Sequence, residues 1–159
     1  CARGDLSNYT GPCREAEAND FAAELLMPEG LFKKACDRNR PCLRDVGELA
    51  EEFQTSLTAT ALRFVLFAPE PCAVVHSTDG LVDWLDWSPN FRLGIRKRTR
   101  LDGRTYAGDL FAGKQVDDRP SQVDGEAWSD SRWAADLDLF EHSRKVSQTS
   151  VLTLLWHPA

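Results

Sequence analysis

The hydrophobic pattern of this chain changes its period near Pro69 and Pro71. Upstream, apolar residues recur at the three-and-four spacing of amphipathic helices; downstream they fall into short runs broken by turn residues. Helices followed by strands predict an α+β fold. We expect a helical part over residues 1–68 and a small strand-rich domain over residues 69–159.

Within the first part, a helix is expected from about Arg14 to Met27, stopped by Pro28 and Gly30. A short second helix covers Leu31 to Asp37. Asp45 is placed to cap a third, in which Val46, Leu49, Ala50 and Phe53 recur at i, i+3, i+4 and i+7. Thr55 or Ser56 caps a fourth, running from Leu57 to about Phe67.

Beyond Pro71 the strand candidates are CAVVHS from Cys72, LVDWLDW from Leu81, RLGIRKRT from Arg92, TYAGDLF from Thr105, GEAW from Gly125 and SVLTLLW from Ser150. The alternation of Leu137 and Leu139 favours a strand within Ala134 to Val146. Thr78-Asp79-Gly80, Leu101-Asp102-Gly103 and Val123-Asp124-Gly125 read as tight hairpin turns, because glycine accepts positive φ.

A formal net charge of −6 argues against nonspecific affinity for nucleic acid or an anionic membrane. The cations that exist cluster in FRLGIRKRTRLDGR, where Arg92, Arg96, Lys97, Arg98, Arg100 and Arg104 suit a solvated strand or hairpin edge. Apolar runs are too short to span a bilayer, so we expect a cytoplasmic protein with no membrane partner. The opening CARGDLSNYTGPCRE has loop composition and starts at Cys1, which reads as the interior of a longer protein; a lipid-modified Cys1 is the alternative. Five cysteines, with Cys36 and Cys42 separated by five residues and no second pair, read as reduced, partly buried thiols.

On a helical wheel the first helix places Ala18, Phe21, Ala22, Leu25 and Leu26 on one broad face, which should be buried. Glu17, Asp20 and Glu24 fall opposite, where charge is solvated. Glu15 and Asn19, four residues apart, lie on the apolar side. A carboxylate there needs a cation, a hydrogen-bond donor or a metal, unless the helix start leaves it wet.

The string from Glu15 to Pro28, E-x-x-A-N-x-F-A-x-x-L-L-M-P, resembles the segment that follows HExxH in the bacterial ImmA/IrrE zinc metallopeptidases. The resemblance is specific over Glu15 to Pro28, loose to about Phe67 and only general beyond Pro71. In such enzymes HExxH supplies two histidine ligands and a general base, and a glutamate on the next helix supplies the third ligand. The resemblance thus implies Glu15 as a zinc ligand and Asn19 as a polar support for a ligand histidine. It implies a peptide substrate within a repressor-type transcription regulator. The chain's three histidines, His76, His142 and His157, form no HExxH and show no ligand spacing. The ligand histidines and the base are therefore expected just upstream of Cys1, and the 159 residues are expected to be inactive alone.

Two other functions compete. DVGELAEEFQTSLTATALRFV resembles a helix-turn-helix, but its second helix offers Arg63 as the only cation, so DNA is the less favoured partner. The second half carries Trp84, Trp87, Trp128, Trp133 and Trp156, which suit a sensory or substrate-binding cavity but are more often core and rim residues of a small sheet.

Overall fold

The computed structural model describes residues 12–37 and 41–159, except the side chains of residues 12–16. Four helices come first, α1 (Pro12–Leu26), α2 (Glu29–Cys36), α3 (Leu43–Glu52) and α4 (Leu57–Phe67). Strands β1 (Cys72–Thr78), β2 (Leu81–Trp87), β3 (Ser121–Val123), β4 (Leu139–Lys145) and β5 (Ser150–Trp156) follow, with the short helix α5 (Tyr106–Phe111) between β2 and β3. The strands form one antiparallel sheet in the order β2-β1-β5-β4-β3, so the fold is α+β.

Local chemistry accounts for most boundaries. Pro28 follows α1 and precedes α2, where its missing N–H costs the helix nothing. Ser56 caps α4, its hydroxyl accepting the Ala59 N–H at 3.1 Å. Asp45 does not cap α3: Cys42 does, and Asp45 sits in the first turn. The helix starts earlier because Leu43 is fully buried in the core and its N–H is bonded at 3.1 Å to the His142 ring. Between β1 and β2, Asp79 and Gly80 take φ of 51° and 77°, the left-handed pair of a tight hairpin.

Three expected strands are something else. TYAGDLF is α5, because the Thr105 hydroxyl accepts the Gly108 N–H at 2.9 Å and starts a helix there. GEAW begins a 3-10 turn, Gly125–Ala127, capped by the Asp124 carboxylate accepting from Glu126 N at 3.0 Å. Gly125 serves close approach here and no hairpin, since a Cβ would lie 2.2 Å from the Ala134 carbonyl oxygen. Leu101-Asp102-Gly103 likewise leads into α5 and turns no hairpin. Residues 92–99 are irregular, with Arg98 at φ 61°, yet they lie along β2, giving Arg98 N to Val82 O at 2.7 Å and Val82 N to Thr99 O at 2.9 Å. The basic run thus covers a sheet edge without being a strand.

Both faces of the sheet are buried. Cys72 and Val74 of β1 with Leu152 and Leu154 of β5 face the helices, where Phe32, Leu43, Val46, Phe64 and Val65 complete one core. Ala73 and Val75 with Val151 and Leu155 face the other way, against Phe91, Leu93, Ala107, Trp128 and Leu139. Strand alternation puts successive residues into different cores, so β1 and β5 read as near-continuous apolar runs. In the second core the buried Glu141 carboxylate accepts from Ala107 N at 2.6 Å, Trp128 Nε1 at 2.8 Å and the Ser143 hydroxyl at 2.7 Å. It straps α5 and the 3-10 turn onto β4.

Candidate functional site

Helix α1 meets the rest of the molecule along a narrow strip. Met27 is buried and Ala23 half-buried against the first core, whereas the face expected to be covered stands open. Phe21 is 71% exposed, Leu25 69% and Leu26 53%. All five apolar residues of that face are exposed, and among the described residues no element lies over Phe21 and Leu25. Instead the charged side is engaged: Glu24 accepts from Arg63 of α4 and from Glu29 N at 3.0 Å. The Glu29 N–H and then the guanidinium hold the Glu24 carboxyl below the usual carboxylate range.

Glu15 lies in the first part of α1, and its side chain falls outside the described residues. Asn19 is exposed and lines a groove of about 720 Å³ between α1 and α4, with Ala22, Leu26, Ala59, Leu62 and Leu66 on its walls. The groove is open and largely apolar, and Arg63 at its edge is committed to Glu24 and to the Met27 carbonyl at 3.1 Å.

The histidines are dispersed. His76 of β1 stacks on Trp84, ring centroids 5.1 Å apart, beside Asp83. His157 stacks on Phe91 after β5. His142 of β4 is buried between Cys42 and Asp118. Among the described residues no group of three or more His, Cys, Asp or Glu side chains is placed to hold a metal ion.

The rival sites gather no better. On α4 the side turned from the core shows Ser56, Ala59 and Leu66 and no free cation, since Arg63 also packs 4.9 Å over the Phe67 ring. The tryptophans serve separate places: Trp128 binds Glu141, Trp84 and Trp156 stack on His76 and Phe140, and Trp87 and Trp133 are half-exposed. No described helix is long and apolar enough to cross a membrane. The signal that sequence reading missed is the Cys42–His142–Asp118 alignment, whose members lie far apart along the chain.

Comparison with curated proteins gave no match. A family model does match: residues 2–65 fit the IrrE N-terminal-like domain of the M78 peptidases. That range takes in the string from Glu15 to Pro28 and nearly all of α1 to α4, so the first part of the chain is similar to this peptidase-family domain and consistent with an ImmA/IrrE family fragment.

Proposed function

We propose that this chain is the downstream part of a cytoplasmic zinc metallo-endopeptidase that hydrolyses a peptide bond of a repressor-type regulatory protein. The family match over residues 2–65 carries the reading. The open face of α1 supports it. Covering Phe21, Leu25 and Leu26 would be worth roughly 1.5–3 kcal/mol each, so a helix that leaves them in water is suited to receive another element. In the enzymes the segment resembles, an HExxH helix comes before it, and such a helix would supply that cover.

The described residues do not assemble a zinc site by themselves. Glu15 is the candidate third ligand; its task is to fix charge and geometry and to move no proton. Asn19, exposed beside the groove, is the candidate support for a ligand histidine. In the full-length protein, Glu15→Gln should lower both bound zinc and peptide hydrolysis. Unchanged zinc content and turnover would reject the assignment. The 159 residues alone should bind zinc no better than an isolated carboxylate and cleave nothing. A DNA-reading role draws no support from α4, whose one arginine is already engaged.

A further inference from the structure

Cys42, His142 and Asp118 come from three separate segments and align as thiol, imidazole and carboxylate. Cys42 Sγ lies 3.4 Å from His142 Nδ1, and His142 Nε2 lies 2.9 Å from Asp118 Oδ1. Arg144 fixes the carboxylate from the other side, its Nε donating to Asp118 Oδ1 at 2.6 Å and its Nη2 to Oδ2. The neighbours determine the imidazole tautomer. Leu43 N–H can only donate and points at Nδ1 from 3.1 Å, so Nδ1 bears the lone pair and Nε2–H is donated to Asp118. The Cys42 thiol shares that lone pair with the Leu43 N–H, so proton transfer to Nδ1 displaces the amide bond, while Asp118 stabilises the imidazolium that results. Cys42 also occupies the N-cap of the ten-residue helix α3, where the helix dipole favours a thiolate.

The other described thiols provide the contrast within the same fold. Cys36 and Cys72 are fully buried, and burial pushes each up to about 12. Burial is also the largest single influence on Cys42, but the imidazole and the amides of Asp45 and Arg44 together outweigh it and leave this thiol below its usual value.

We propose that Cys42 is an oxidation site for a small hydroperoxide, with His142 as its base and Asp118 positioning that base. The residue is 4% exposed, and that decides the class of co-reactant. A peptide or acyl group has no approach to so covered a sulfur, whereas hydrogen peroxide is scarcely larger than two waters. The thiolate sulfur attacks one peroxide oxygen; the S–O bond forms as the O–O bond breaks. The departing hydroxide takes the proton that Nδ1 received from the thiol and leaves as water. Sulfur is oxidised by two electrons to a sulfenic acid, and the peroxide is reduced to water. The peptidase reading has no part in this chemistry.

The test uses the whole chain carrying Cys1→Ser and Cys13→Ser. It is exposed to substoichiometric hydrogen peroxide at pH 7, the peroxide is removed with catalase, the chain is unfolded in urea containing dimedone so that a covered sulfenic acid is trapped, and the sites are mapped by mass spectrometry. Cys42 should be labelled at least about tenfold more than Cys36 or Cys72. His142→Gln should slow labelling about tenfold at pH 7 and converge on the parent rate at pH 10, where the base is no longer needed. Asp118→Asn, a change at an exposed side chain, should shift the same pH profile without unfolding the chain if the buried histidine variant fails to fold. Equal labelling of the three thiols, an unlabelled Cys42, or profiles unmoved by both variants would overturn the proposal.

Discussion

Arg63 of α4 joins three helices through Glu24 of α1. The guanidinium donates to the Glu24 carboxylate and, at 3.1 Å, to the Met27 carbonyl just beyond α1, while the same carboxylate accepts the first N–H of α2 from Glu29 at 3.0 Å. With Phe21 and Leu25 exposed, this polar joint and the contacts of Ala23 and Met27 hold α1 down among the described residues.

Arg63→Met should therefore loosen α1 and α2 selectively. Losing a hydrogen bond of about 1 kcal/mol raises local opening about fivefold. Amide exchange should quicken by that factor across residues 17–37 and stay unchanged in β1 and β5. Uniform exchange across both regions would contradict the joint.

Acid should act on a second ion pair. The Arg144 guanidinium, and then the His142 hydrogen bond, hold the Asp118 carboxyl well below the usual range, although burial acts the other way. A depressed carboxyl stabilises the fold above its unfolded value near 4, and the contribution fades as pH falls towards the folded value. Asp118 is 56% exposed, so the effect should be about 1 kcal/mol or less. Urea midpoints of Asp118→Asn should lie below the parent at pH 7, with a gap that narrows steadily as pH falls below about 4. Parallel curves would refute this account.

Phe64 tests whether helices and sheet melt together. It is fully buried in the core that α2, α3 and α4 share with β1 and β5. Phe64→Ala should cost roughly 3–5 kcal/mol. Far-ultraviolet circular dichroism and tryptophan fluorescence should then report one transition at lower temperature. Two separated transitions would show that the layers unfold apart.

Glu141→Gln keeps the shape but replaces an acceptor with an amide N–H₂. That group would face either Trp128 Nε1–H or the Ala107 and Ser143 donors, so about 1–3 kcal/mol should be lost. Burial raises the Glu141 carboxyl above its ordinary value, more than its hydrogen bonds lower it. A raised carboxyl makes the folded state bind the extra proton, so the parent should lose stability as pH climbs from the ordinary value through the folded one, and the glutamine variant should lack that slope. Denaturation series from pH 4 upward would detect it.

Much of the fold was legible because its signals are local. Pro28, Ser56 and the i, i+3, i+4 pattern from Val46 delimit helices within a few neighbouring residues, and Asp79-Gly80 turns the first hairpin. Thr105 was equally local, but TYAGDLF reads as a short strand-like run between turn signals. The wheel of α1 showed which side is apolar and had no means of showing whether anything covers it. Cys42 and His142 are separated by 100 positions, so no spacing rule brings them together. Only the pairing of β4 with β5 does so, by seating His142 opposite Leu154 behind the start of α3.

The central place of β5 has a consequence for how the molecule is made. It bonds to β1 on one side and β4 on the other, although it comes last among the described strands, and its Leu152 and Leu154 form the floor beneath the helices. During synthesis α2 to α4 emerge long before that floor exists and must keep Phe32 and Phe64 out of wrong contacts until it arrives. Assembly is then governed by the slow closing of long loops, and a ribosome stalled before Ser150 would hold helices without a platform.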